Sequence, residues 1–174
     1  MTHLENKKKT IHNETYDQYL SKFQNNEIKS RTQWIYEIID SPGHDEILFS
    51  TDEFLLIKPI ISYDMHLLAF VLDKSIKSLR DLNSSHVPML ERLHEDSCNY
   101  IEKTFKIPRN EIKVYIHYPP NVWLLHVHFT KIVPIDSFVE NTSIEYSHSL
   151  HSIIKNIKLK SDYYQDDNME ILFE

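Results

Sequence analysis

Glycine is almost absent from this 174-residue chain, in which Gly43 is the only one. Loops that bind phosphate through closely approaching backbone amides, as in P-loop and dinucleotide-binding folds, need several glycines at fixed spacing. Those folds are therefore excluded, and any phosphate that the chain binds must be bound by side chains.

Cysteine and long apolar runs are also scarce. The single Cys98 cannot form an internal disulfide, which favours a reducing compartment. No apolar run approaches the length of a membrane span, and the first residues, MTHLENKKKT, lack the apolar core of a signal peptide. We therefore expect a cytoplasmic protein, which could also enter the nucleus, with no membrane partner.

An excess of positive charge is lacking as well, because the formal net charge is −7. Proteins that hold long nucleic acids usually present basic surfaces, so a long nucleic acid is not expected as a stable ligand. A few local cations would still suffice for a small phosphate compound.

Apolar and aromatic residues are plentiful. Hydrophobic residues make up 41% of the chain, and it has ten tyrosines and eight phenylalanines. This composition supports one domain with a substantial core. We expect residues 1–13 to be a flexible tail and residues 14–174 to form a single domain.

The apolar patterns predict an α+β fold, an antiparallel sheet with a long helix. Strands are predicted in EILFSTDEFLLIKPII (two), HLLAFVLD, EIKVYIHY, VWLLHVHFTKIV and DNMEILFE. Helices are predicted from Thr32, in the region after Leu82, and over Ser147–Lys158.

The stretch HYPPNVWLLHVHF, residues 117–129, carries three histidines. His126 and His128 alternate across Val127, so both imidazoles should lie on the same face of a strand. His117 lies on the other arm of the predicted hairpin. The three could bind a metal, could be structural, or could form a catalytic group with one imidazole as nucleophile and another as its helper.

The wider string VYIHYPPNVWLLHVHFT resembles the scavenger mRNA decapping enzymes (m7GpppX diphosphatases), which carry a histidine-triad motif. The resemblance continues through ETYDQY, TQWIYEIID, SIKSLRDL and HVPMLERL upstream and YYQDDNMEILF downstream, about residues 14–173. It implies a histidine-triad-like catalytic domain without the family's N-terminal swapped domain. It also implies a methylated cap nucleotide or a short capped oligonucleotide as substrate, with no cofactor and no metal.

The resemblance implies roles for individual residues. His126 matches the nucleophile, which forms a nucleotidyl intermediate and releases m7GMP. His128 and His117 match phosphate contacts, and Asn121 occupies the small polar position after the prolines.

For the base and the outer phosphates the resemblance implies a further set. Trp34 matches the tryptophan that stacks on methylated guanine, although the residues alone would equally allow it to anchor its helix in the core. Lys58 is the nearest match to the phosphate lysine, and Asp45 and Glu46 are nearest to the acid that recognises the guanine edge. We also expect a homodimer formed through the helix from about Val87 to Phe105 and the strand before it, with a sheet continuous across the interface.

The sequence departs from the family at the first triad histidine, which is Leu124 here. This change is expected to lower the rate without removing the nucleophile, and a histidine restored there to raise activity or leave it unchanged. Two alternatives remain open: a non-catalytic module that binds cap or another nucleotide, and an enzyme acting on another dinucleotide or a nucleoside phosphoramidate.

Overall fold

The computed structural model describes residues 10–24, 26–41, 46–59, 65–132, 147–165 and 169–173. The strands in chain order are β1 Thr10–Glu14, β2 Ile47–Ser50, β3 Phe54–Ile57, β4 His66–Val71, β5 Ile112–His117, β6 His126–Lys131, β7 Ser147–Ser149 and β8 Met169–Phe173. The helices are α1 Tyr16–Ser21, α2 Asn26–Ile39, α3 Val87–Phe105 and α4 Leu150–Leu159.

Six of these strands form one antiparallel sheet in the order β2-β3-β4-β6-β5-β7. The order places β6, the strand with two motif histidines, between β4 and β5. Tyr115 on β5 and Leu68 on β4 both pair with His128 on β6. The predicted α+β class with an antiparallel sheet and a long helix is confirmed.

One face of the sheet packs against α3 and α4 and forms the main core. Along α3 the buried apolar residues recur at helical spacing and are those that the sequence predicts: Val87, Leu90, Leu93, Cys98 and Ile101. Leu56, Ala69 and Val127 meet them from the sheet. Each fully buried aliphatic side chain contributes about 1.5–3 kcal/mol, so this face supplies much of the stability.

The opposite face is covered in part by α2. Ile35 and Ile38 of this helix are buried in a second apolar cluster with four residues of the sheet and its loops. Those four are Leu55, Ile57, Phe70 and Leu124. Because α2 covers only this region, the neighbouring part of the same face is left for polar side chains.

The expected flexible tail is wrong for its last residues. Residues 10–14 form β1, which pairs with β8 from Thr10↔Phe173 to Glu14↔Met169. The C-terminal strand predicted in DNMEILFE thus has its partner in the segment assigned to the tail. Residues 1–9 lie outside the described residues.

Three predicted boundaries also shift. Helix α2 begins at Asn26 rather than Thr32, and Ser147–Ser149 form β7 on the sheet edge before α4 begins at Leu150. Strand β6 begins at His126, because the Leu125 amide donates to the Ile76 carbonyl and the Leu125 carbonyl accepts from Val71.

The dimer expectation stays a prediction, but the apolar side chains on which it was based pack within the chain. The apolar stripe of α3 is buried within the chain, and the strand before the helix, β4, lies between β3 and β6. A sheet continuous across a dimer would have to use an edge strand, β2 or β7. Among the described residues, no helix has both the length and the apolar character needed to cross a membrane.

Candidate active site

Four histidines cluster on the face of the sheet that α2 partly covers. His126 and His128 alternate on β6, while Val127 points into the main core. His117 at the end of β5 and His66 at the start of β4 complete the group. Their ring centroids lie 4.3 Å (His117–His128), 5.0 Å (His126–His128) and 5.2 Å (His66–His128) apart. These four residues are called the histidine cluster below.

His126 is held in one tautomer by the backbone. Its Nδ1 lies 2.8 Å from the carbonyl oxygen of Leu124. A carbonyl can only accept, so Nδ1 must carry the proton, and the lone pair of the neutral ring lies on Nε2. The ring also stacks on Phe70 at a centroid distance of 4.8 Å. The imidazole is therefore oriented with Nε2 as its nucleophilic atom.

Burial keeps these imidazoles neutral. It lowers the pKa of His126 to about 4, against the opposing effect of the hydrogen bond to Leu124. Burial, with a smaller contribution from His126, also lowers the pKa of His117 to about 4. The pKa of His128 lies further below the ordinary histidine value, again chiefly because of burial. Near pH 7 the cluster thus offers neutral nitrogens, the form that attacks an electrophile.

Two atoms of the cluster are buried without a partner. Nε2 of His117 and Nε2 of His128 make no hydrogen bond within the described part of the chain. Leaving such an atom unsatisfied costs about 1–3 kcal/mol, and native proteins tolerate this cost where the atom has a functional role. The His128 ring contacts the rings of both His117 and His126, so the two atoms belong to the same cluster as His126.

Trp34 lies on the exposed side of α2, close to the histidines. Its ring is 41% exposed and meets Phe70 edge to face at 6.0 Å. The helix is anchored instead by Ile35 and Ile38, which are buried, so the core-anchor interpretation of Trp34 is wrong. Because Phe70 also stacks on His126, only one ring separates Trp34 from His126.

The remaining predicted binding residues lie further from the histidines. Lys58 follows β3 with an exposed side chain, and its amide donates to the carbonyl of Glu46, 3.3 Å away. Strand β3 is two strand spacings from β6, about 10 Å. Asn121 is exposed in the connection between β5 and β6. Asp45 lies outside the described residues.

Leu124 contributes its backbone rather than its side chain. The side chain is fully buried in the apolar cluster under α2, while its carbonyl orients His126. A histidine restored there would place an imidazole among apolar side chains, at a cost of about 1–3 kcal/mol. We therefore revise the expectation that Leu124→His is neutral or beneficial.

Three residues near the cluster were missed by the sequence reasoning. Tyr115 stacks on His128 at 5.0 Å, and Nζ of Lys113 lies 4.7 Å from the centre of the Tyr115 ring. The alternation Lys113–Tyr115–His117 in KVYIH is the signal that could have found both. His66 has no such signal, because only the sheet order brings it beside His128. Within the described residues, no group of three or more His, Cys, Asp or Glu side chains is arranged to hold a metal ion.

Comparison with known proteins agrees with the family resemblance of the motif string. The family model described as "Scavenger mRNA decapping enzyme C-term binding" matches residues 33–143. The m7GpppX diphosphatase of Bos taurus is 31% identical in an alignment 144 positions long, which covers 76% of this chain and 42% of the relative. The m7GpppX diphosphatase of Ascaris suum is 30% identical in an alignment 173 positions long, which covers 91% of this chain and 56% of the relative.

The chain thus spans about two fifths to somewhat over half the length of these relatives. Among solved structures, Hnt3 in complex with DNA and guanosine aligns with a TM-score of 0.48 at 16% identity, covering 78% of this chain and 82% of that one. From the family match, this chain belongs to the scavenger mRNA decapping enzyme C-terminal family.

Proposed function

We propose that the chain hydrolyses the triphosphate bridge of methylguanosine cap nucleotides, or of short capped RNA, and releases m7GMP. The observation that carries the proposal is the His126 tautomer. Its Nδ1 is bound by the Leu124 carbonyl, which leaves Nε2 as a neutral nucleophile in a cluster that also holds the unpartnered Nε2 atoms of His117 and His128. The m7GpppX diphosphatase names of the relatives support the choice of substrate.

The chemistry proceeds in two displacements. Nε2 of His126 attacks the phosphorus nearest the methylguanosine, a P–N bond forms, and the P–O bond to the rest of the bridge breaks. The positive charge that the ring acquires is stabilised by the Nδ1–H bond to the Leu124 carbonyl. Water then attacks the same phosphorus, the P–N bond breaks, and m7GMP leaves.

The flanking histidines stabilise the charge that develops on the phosphate oxygens. Because His117 and His128 are neutral, each acts as an N–H donor and not as a cation. Prearranged donors of this kind, at a site that excludes water, typically contribute about 10²–10³-fold each. Their Nε2 atoms are buried and make no hydrogen bond within the described residues, which supports this role.

The base stacks on Trp34 in this proposal. Methylated guanine carries a positive charge, and the face of an indole ring is electron-rich, so the pair attract each other. The exposed ring beside Phe70 leaves room for such a ligand. Lys58 and Asn121 would reach only the outer parts of a longer substrate.

The test is release of m7GMP from m7GpppG by the wild type and His126→Asn side by side. Asparagine keeps a polar side chain but cannot form the phosphorus–nitrogen bond, so we expect turnover to vanish while the far-ultraviolet spectrum and cap affinity persist. His151→Asn, at an exposed histidine of α4, is the matched control and should keep wild-type turnover.

Two results would overturn the proposal in different ways. A wild type that binds cap without releasing m7GMP would identify a non-catalytic cap-binding module. Equal release by wild type and His126→Asn would place the chemistry at another residue.

A further inference from the structure

His66 is the member of the histidine cluster that lies outside the motif. It begins β4 and pairs with Thr130 on β6, so its side chain reaches the cluster from the neighbouring strand. Its Nε2 lies 2.9 Å from Nδ1 of His128, and the two rings lie edge to edge in nearly the same plane, with an interplanar angle of 17° and centroids 5.2 Å apart. This contact holds both the orientation and the proton position of the His128 ring.

The short nitrogen–nitrogen contact allows two arrangements of protons, because one ring must donate and the other accept. If His128 donates from Nδ1, its Nε2 carries a lone pair, and that buried lone pair would face the oxygens of a phosphate. If His66 donates, His128 carries its proton on Nε2, which becomes a donor toward the same oxygens. Nε2 of His128 is buried and unpartnered, so only the second arrangement gives it a favourable role with an anionic ligand.

We infer that His66 is a positioning residue whose Nε2–H donates to Nδ1 of His128 and holds His128 in the tautomer that donates from Nε2 to a substrate phosphate oxygen. The inference rests on the proposed function for the identity of the ligand, but the proton arrangement belongs to the free protein. It assigns to β4 a residue of the site that the histidine motif does not contain.

Nothing else in the described contacts of His128 would fix its tautomer. Tyr115 stacks on the ring and His117 is tilted against it by 48°, while the Nδ1 atom contacts His66. Burial lowers the pKa of His66 as well, which favours a neutral ring with a single N–H on each partner. Loss of the His66 donor would therefore release His128 to exchange between its two tautomers.

Two variants separate the donor from the ring. His66→Phe retains an aromatic ring beside His128 but removes the N–H. His66→Gln removes the ring but keeps an amide N–H at a similar distance from the backbone. A residue that served only as packing would be replaced better by phenylalanine, whereas a donor would be replaced better by glutamine.

The first measurement is the long-range ¹H–¹⁵N spectrum of the ¹⁵N-labelled free protein at pH 7, which distinguishes the two tautomers of each histidine. We expect the His128 signals of the wild type and of His66→Gln to report the proton on Nε2, and those of His66→Phe to move toward the Nδ1–H form or a mixture. A wild-type His128 with its proton on Nδ1 would overturn the inference.

The second measurement is kcat and KM for m7GpppG. His66→Phe should lower kcat by about 10–100-fold, less than the loss of the His128 donor itself, with a much smaller change in KM. His66→Gln should recover most of that loss. Wild-type kcat in His66→Phe, or equal losses in both variants, would contradict a positioning role.

The two measurements also separate this inference from the proposed function. A wild type that fails to hydrolyse m7GpppG while its spectra show the expected tautomer and its change in His66→Phe would overturn the function and support the role of His66. Turnover by the wild type with no tautomer change in His66→Phe would do the reverse.

Discussion

Two groups of buried polar side chains adjoin at His117 and Tyr118. They differ in whether the polar atoms of their side chains have hydrogen-bond partners. His117 belongs to the histidine cluster, in which two Nε2 atoms have no partner. Tyr118 belongs to a second group, in which its hydroxyl donates to Glu14 and the same carboxylate forms an ion pair with Lys22. The end of β5 therefore separates imidazole nitrogens that lack a hydrogen-bond partner from a tyrosine hydroxyl and a lysine that both pair with a buried carboxylate.

The second group ties the N-terminal segment to the main sheet. The Tyr19 hydroxyl donates to Asp81 at 2.5 Å and accepts from Ser78 at 3.1 Å. Burial raises the pKa of Tyr19 and of Tyr118, so both hydroxyls stay protonated and continue to donate. Buried polar groups that satisfy one another help to specify a structure, whereas a buried atom without a partner calls for an explanation, which for His117 and His128 is the proposed phosphate ligand.

After His126→Asn, which should abolish turnover, the largest effect should come from removing the unpartnered nitrogen of His128. His128→Ala deletes the unpartnered Nε2, so turnover of m7GpppG should fall by about 10²–10³-fold, as for one lost transition-state donor. Thermal stability should change far less than activity. Steady-state kinetics and thermal unfolding of the same preparation would check this, with the exposed His151→Ala as control. Activity close to that of the wild type would mean that the unpartnered atom has no catalytic role.

Acid should destabilise the protein through the histidine cluster. The pKa of His126 falls from an ordinary 6.5 to about 4 on folding, so the unfolded chain takes up a proton that the folded chain refuses. This contribution is complete above pH 6.5 and is lost as the pH falls toward 4, and for His126 it is on the order of 3 kcal/mol.

Urea unfolding at several pH values between 7 and 4.5 would test that window. Carboxylates titrate in the same range, so the comparison is between the wild type and His126→Asn, which should lose less stability on acidification. Identical pH dependence in the two proteins would show that the His126 ring is not held neutral by burial.

Breaking the group formed by Tyr118, Glu14 and Lys22 should lower the stability of the fold without lowering turnover. Tyr118→Phe leaves the buried carboxylate of Glu14 without its tyrosine donor, which should cost about 1–3 kcal/mol of unfolding free energy. The histidine cluster keeps its contacts, so turnover at 25 °C should stay at the wild-type level. Tyr163→Phe, at a tyrosine that is 45% exposed, should change stability by less than about 0.5 kcal/mol. A large loss of turnover in Tyr118→Phe would show that the two groups are coupled.

A change outside both groups should have the smallest effect on the stability of the protein and should act on ligand binding instead. Trp34→Ala should weaken binding of m7GpppG by about 1–3 kcal/mol, the range for stacking of a base on an aromatic ring. Binding of unmethylated GpppG should weaken less, because the charge on the base is missing. Calorimetric titration with both ligands would decide, and Leu20→Ala, at an exposed residue of α1, is the control. Equal losses for both ligands would indicate that the indole supports the local packing of α2 and does not read the base.

Local pattern sufficed for most of the elements and for the motif. The alternation of His126 and His128 places both on one strand face whatever lies next to them, and the stripe from Val87 to Ile101 is typical of a helix packed on a core. The motif string also predicted the family that the comparison later matched. The short strands that begin at Thr10 and Ser147 were not predicted, because each one forms by pairing with a strand that is distant in sequence.

By itself the sequence determined the composition of the site: side chains in place of a glycine loop, imidazoles at period two, and a tryptophan four residues before a buried isoleucine. Only the tertiary structure decided which imidazole nitrogens have a hydrogen-bond partner and which do not. The sheet order brings His66 to Nδ1 of His128, and a bend before β6 turns the Leu124 carbonyl toward His126. The proton position of His128 depends on a contact between residues 62 positions apart, and that of His126 depends on the backbone conformation before β6, so no pattern of residue types predicts either one.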